Sequence, residues 1–217
     1  MNHNDSFKDR CIVSCGILRP ELNALADAGF LDAQRVLYTP PGLHALPAKL
    51  EQHLSRTLAK AQEGCVPQNI IVVYGRRCYT NLDDAAKTID TVIHSQSPDI
   101  RRVQAEYGYD MLAGLEQRTE ISGGKPDKVL WFTPGWLSAW KTIYQKYFGW
   151  DKADANANFP GYYEKIVVLD AIGASGRYNT DEPEKILELF DWTGVPVEFE
   201  TITLERFKGL LKDQLEE

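Results

Sequence analysis

The sequence predicts an α/β fold from three observations: short apolar runs rich in β-branched residues, amphipathic segments between them, and glycine or proline at most junctions. The runs CIVSCGIL (Cys11–Leu18), RVLYTP (Arg35–Pro40), NIIVVYG (Asn69–Gly75), KVLWFTP (Lys128–Pro134), KIVVLDAIG (Lys165–Gly173) and VPVEFETI (Val195–Ile202) read as strands. Several of them are apolar on both faces, which suits a mainly parallel sheet covered by helices on both sides. The alternation also permits two similar halves.

The intervening elements follow in order. Pro20 is placed to start a helix and Gly29 to stop it. Leu43, Leu46, Leu50, Leu54 and Leu58 recur at helical spacing, so a long amphipathic helix should end before Gly64. Ile89–His94 is short and β-branched and reads as a further strand. Ile100–Leu115 reads as a helix interrupted at Gly108, and Ile121–Asp127 as a Gly/Pro loop. Gly135–Gly149 is an aromatic-rich helix, Trp150–Tyr163 a polar connection, Pro183–Trp192 a helix and Leu204–Leu215 a closing amphipathic helix.

Composition narrows the class. A chain of 217 residues with 43% hydrophobic and 25% charged residues is long enough to bury a sizeable core. We expect a flexible polar lead-in over 1–10 and a single domain over 11–217. No apolar run approaches the ~18 residues of a bilayer span, and the polar start lacks a secretory leader. These features point to a cytoplasmic protein with no membrane partner. Its net charge of −7 disfavours nucleic acid, and the basic pieces Gly75–Arg77 and Arg101–Val103 are too short to offset it. In that compartment Cys11, Cys15, Cys65 and Cys78 should be thiols rather than disulfides.

Doubly wound sheets bind ligands beyond the carboxyl ends of their strands. That rule selects Cys15 and Gly16, Tyr74 and Gly75 through Cys78, Thr133 through Gly135 and Trp136, and Asp170.

At these strand ends lie the segments CGILRPEL (Cys15–Leu22), LHALPAKL (Leu43–Leu50), YGRRC (Tyr74–Cys78), YDMLAG (Tyr109–Gly114), TPGWL (Thr133–Leu137) and LDAIG (Leu169–Gly173). In this order they resemble the bacterial and archaeal family called domain of unknown function 1638. Its members are often neighbours of corrinoid-dependent methyltransferase systems. The resemblance thus implies a role near one-carbon or corrinoid chemistry, with a corrinoid contact, and a corrinoid protein or methyltransferase as partner. Family sequences carry cysteines in three blocks. Cys15 and Cys78 match the first two, whereas the third reads YGYDMLAG and offers Asp110 and tyrosines. Tyr79 stands where some relatives have His.

Cys15, Cys78 and His44 form the best candidate cluster, because two thiolates and an imidazole suit Zn or Fe. Asp110 would add a harder oxygen ligand. The plainer reading makes Cys15 a small buried residue and His44 a helix-start residue. Cys78 is also a candidate nucleophile, with Arg76 and Arg77 favouring its thiolate and His44 or His94 as base. Trp136, Trp140, Tyr144 and Tyr147 share a helical stripe that would pack a planar ligand, a partner protein or a second copy of the chain, or simply belong to the core. Asp170, before the glycines at 173 and 176, would bind a metal or hydroxyl, or else cap a turn. Glu21 would complement a helix dipole. Taken together, the sequence points to a small-ligand or metal-binding accessory protein of corrinoid or one-carbon metabolism. The alternatives are a thiol- or metal-dependent methyl-transfer enzyme and an interaction module built on the aromatic helix.

Overall fold

The computed structural model describes residues 6–81, 84 and 86–215. Its strands are all parallel, and they form two sheets rather than one. The first has the order β2-β1-β3-β4, from Cys11–Cys15 (β1), Arg35–Thr39 (β2), Ile70–Val73 (β3) and Arg101–Arg102 (β4). The second has the order β5-β6-β7, from Val129–Phe132, Lys165–Asp170 and Val197–Thr201.

Strand alternation sends successive side chains to opposite faces, and this builds a layered molecule. Cys11 and Val13 of β1 face outward onto α2 (Pro47–Gln62) and α3 (Ile89–His94), against Leu50, Leu54, Leu58 and Val92. Ile12 faces inward, onto Leu18 and onto Leu22 and Leu25 of α1 (Arg19–Asp27). Val167 and Leu169 of β6 reach the same inner core from the other side, with Phe207 and Leu211 of α9 (Glu205–Lys212). Ile166 and Val168 point away, onto α5 (Pro134–Lys141), α6 (Lys152–Asn158) and α8 (Pro183–Thr193). The inner core therefore belongs to both sheets. At the junction, a Cβ on Gly135 would overlap the Ile17 carbonyl oxygen, so only glycine lets α5 approach the end of β1 this closely.

Several sequence expectations are corrected. Cys15 ends β1, and Gly16–Leu18 is a 3₁₀ turn rather than more strand. Ile89–His94 is a helix: Thr88 and Thr91 form a reciprocal capping box, and Ile89, Val92 and Ile93 are buried at helical spacing. Ile100–Leu115 is not a helix; it holds the short β4 and a 3₁₀ turn at Tyr109–Met111, and α4 begins at Leu115 and runs to Ile121. The connection after Trp150 contains α6, started by a capping box between Asp151 and Asp154. A further helix, α7 (Ala174–Thr180), follows β6. The lead-in is anchored from residue 6 onward, because Phe7 is fully buried and its amide donates to Asp32 at 2.6 Å; residues 1–5 lie outside the described residues. Cys11 and Cys65 are disulfide-bonded, with Cα atoms 6.3 Å apart, and only Cys15 and Cys78 are free. Among the described residues, no helix is long and apolar enough to cross a membrane.

Candidate functional site

A cavity of about 380 Å³ opens between the carboxyl edge of the first sheet and β5, the edge strand of the second. The first sheet contributes Cys15, Val73, Tyr74, Gly75 and Cys78, and the second contributes Val129, Leu130, Trp131, Thr133 and Trp136. His44, Tyr107 and Tyr109 close it from connecting turns, and Tyr144 and Phe148 from the helix after β5. Its size suits one small molecule.

Local structure explains each wall. Gly75 lets the 105–107 segment cross the end of β3: a Cβ there would sit 2.5 Å from the Glu106 carbonyl oxygen. The amides of Arg76 and Arg77 then donate to the carbonyls of Ala105 and Glu106, each at 2.8 Å. Arg102 fixes the same junction from below. Its buried guanidinium donates to the Val103 carbonyl at 2.7 Å, the Tyr74 carbonyl at 3.2 Å and the Asp90 carboxylate at 2.6 and 3.0 Å. The Thr133 hydroxyl caps α5 by accepting from the Trp136 amide at 3.1 Å, which fixes the indole at the cavity. The Trp136 ring lies 4.9 Å from the His44 ring, and its buried N–H interacts with the Tyr144 hydroxyl.

His44 and the two thiols of this cavity are held neutral. Burial lowers His44 to about 4. Burial raises the Cys15 thiol, against the pull of the Ile17 and Gly42 amides and the Tyr74 hydroxyl. Burial pushes Cys78 up to about 12, reinforced by the charge Cys15 would carry, against the Gly75 and Gly108 amides. Burial thus works against the activated-nucleophile expectation. Arg76 and Arg77 are turned away onto Glu106, at 2.9 and 2.8 Å, and are about half exposed. His94 is exposed at the end of α3 and does not line the cavity.

Of the residues selected from the sequence, Cys15, His44, Tyr74, Gly75, Arg77, Cys78, Thr133, Trp136 and Tyr144 line one cavity. Gly16, Gly135, Asp110 and Asp170 have different places. Gly16 packs under the Thr39 carbonyl, and Gly135 against Ile17. Asp110 lies in an adjoining cleft, paired with Arg118 and accepting from the Tyr107 amide at 2.9 Å. Asp170 is buried and accepts from the amides of Ile172, Ala174 and Ser175 at 3.2, 2.8 and 2.8 Å, which is the turn-capping role.

The metal expectation does not fit this arrangement. Cys15, His44 and Cys78 share a wall, but among the described residues no three His, Cys, Asp or Glu side chains are grouped to hold a metal ion. The aromatic stripe is largely core: Trp140 and Tyr144 are buried against Trp192 at 5.1 and 5.6 Å. Glu21 does more than face a helix dipole, since it is fully buried with both carboxylate oxygens unpartnered. Sequence reasoning missed the adjoining cleft, whose arginines come from distant segments that carry no common motif.

No curated protein and no solved structure matches the chain. A family model described as "Protein of unknown function (DUF1638)" matches residues 38–211. The match takes in the blocks from Leu43 onward, and the Cys15–Leu22 block precedes it. Spanning more than half of the sequence, this match shows that the chain belongs to the DUF1638 family.

Proposed function

We propose that this chain binds a small, largely apolar molecule in the cavity between its sheets, as a non-catalytic accessory protein of corrinoid-linked one-carbon metabolism in the cytoplasm. The observation that carries the binding claim is the cavity itself. It sits beyond the carboxyl edge of the first sheet's parallel strands, is walled by aromatic rings, and presents two neutral thiols. The metabolic setting rests on the family resemblance alone. A corrinoid would meet this protein on a partner such as a corrinoid protein or methyltransferase.

Native mass spectrometry of the chain isolated from the cells that naturally make it tests the binding claim. We expect a bound mass beyond the polypeptide, lost on filling the cavity with Cys78→Phe. A bare wild-type chain, or equal retention by a folded Cys78→Phe variant, would overturn it.

A second reading, a thiol-dependent methyl-transfer enzyme, is favoured by the presence of Cys15 and Cys78 in one cavity wall. It requires a thiolate where burial favours the neutral thiol, so binding without chemistry is the better account.

A further inference from the structure

The cavity continues into an open cleft of about 980 Å³, and the two share Arg77, Tyr107, Tyr109, Val129, Trp131 and Tyr163. The cleft is lined by five arginines (Arg76, Arg77, Arg102, Arg118 and Arg206) against three carboxylates (Glu106, Asp110 and Asp127). That excess stands out in a chain whose net charge is −7.

The existing pairings show which cations remain available. Arg102 is spent on Asp90 and on backbone carbonyls. Arg118 is spent on Asp110 and lies over the Tyr109 ring. Arg76 and Arg77 share a single carboxylate: Glu106 takes Arg76 at 2.9 and 3.0 Å and Arg77 at 2.8 Å. One positive charge is left over. Arg206, from α9, donates its Nε to the Asp110 backbone carbonyl at 2.7 Å and makes no ion pair among the described residues. Asp127 is exposed and makes none either.

We infer that the ligand is an anion with two parts: an apolar ring body in the cavity, and a carboxylate or phosphate head in the cleft, held by Arg76, Arg77 and Arg206. This inference rests on the cavity reading above and adds the charge and the head-group chemistry. Guanidinium groups meet planar carboxylates and phosphates through paired N–H donors. Arg77 and the stacked pair Tyr107 and Tyr109, with ring centroids 5.1 Å apart, stand where the two compartments meet. Body and head would therefore be bound by one molecule spanning that boundary.

The test compares three probes with one bicyclic body, titrated calorimetrically into the full chain: 1-naphthol, 1-naphthoate and 1-naphthyl phosphate. At least one anionic probe should bind roughly 10- to 100-fold tighter than 1-naphthol, the range for charge-assisted hydrogen bonds. Tighter binding of naphthyl phosphate assigns a phosphate head, and tighter binding of naphthoate a carboxylate head. In Arg76→Gln and in Arg206→Gln the preference should shrink at least several-fold while 1-naphthol affinity is kept. Glu106→Gln, which frees both guanidiniums, should strengthen the anionic probes. Equal affinity for all three probes, or a preference untouched by the arginine variants, overturns the anion site and leaves the cavity reading standing. Failure of all three to bind the wild type overturns both.

Discussion

At the end of β6, Asp170 collects three backbone N–H donors from the turn that follows; beyond the end of β1, Glu21 gains no donor from any other residue, although both carboxylates are fully buried. The contrast extends to their surroundings. At the second edge, Thr133 caps α5. At the first, two free thiols stand in apolar surroundings. Asp170 and Thr133 are consumed in holding the turns that follow the second edge. The two thiols of the first edge are held in reserve, facing the cavity. The cavity leans on the second sheet for its aromatic wall and on the first for its chemistry.

The pH dependence of stability probes this contrast most strongly. Burial, reinforced by the Asp170 charge, raises Glu21 to about 8 from an ordinary 4.5. Between those values the folded chain keeps a proton that the unfolded chain releases, so stability falls as pH rises from about 4.5 to about 8. At about 1.4 kcal/mol per pKa unit, the loss is on the order of 4 kcal/mol. Glu21→Gln removes the titration, so urea unfolding at pH 5 and pH 9 should show the variant gaining on the wild type by that order. Parallel profiles would mean that Glu21 finds a partner in solution and that the two edges are alike. Asp170 works in the opposite sense. Burial tends to raise it, but the Ser175, Ala174 and Ile172 amides together outweigh burial and hold it low.

Next in size is thiol reactivity. With Cys78 near 12 against an ordinary 9, its thiolate fraction at pH 8 is reduced roughly a thousandfold. Maleimide labelling followed by mass spectrometry should therefore be slower in the native chain than in urea by at least that factor. Labelling at the ordinary rate would move the first edge from reserve to reactivity and favour the methyl-transfer reading. The smallest effect belongs to the second edge. Asp170→Asn keeps an acceptor but loses charge assistance to the three amides, and should cost about 2 kcal/mol in a denaturant titration. A cost near zero would show that α7 does not need its cap.

How much of this was legible in the sequence depended on whether the signal was local. Apolar β-branched runs identified β1, β2, β3, β5, β6 and β7, and the strand-end rule led to Cys15, Tyr74, Gly75 and Cys78. Ile89–His94 misled because its apolar content suits either period; what decides is the Thr88–Thr91 capping box. The strand that takes its place, Arg101–Arg102, is invisible to hydrophobic patterning, since a buried arginine there is paid for by Asp90 and backbone carbonyls. Arg206 reaches the cleft beside Asp110 from 96 residues away. Nothing near Glu21 in sequence announces that α1 will lie between two sheets, which is what strips its carboxylate of water.

After α5 the same helix continues as a π-helix over Thr142–Tyr147, with the Phe148 amide donating to the Ile143 carbonyl at 3.1 Å. A turn of this kind arises when one extra residue is inserted into ordinary helix. The inserted residue sets the rotational phase of everything beyond it, including Phe148, whose ring stacks on Tyr144 at 5.9 Å to form one rim of the cavity. Deleting a single solvent-facing residue here, such as Gln145, would restore α spacing and swing the following side chains by ~100°. The rim is thus adjustable by chain length as well as by substitution. Family members one residue shorter in this helix would present a different mouth to the same pair of thiols.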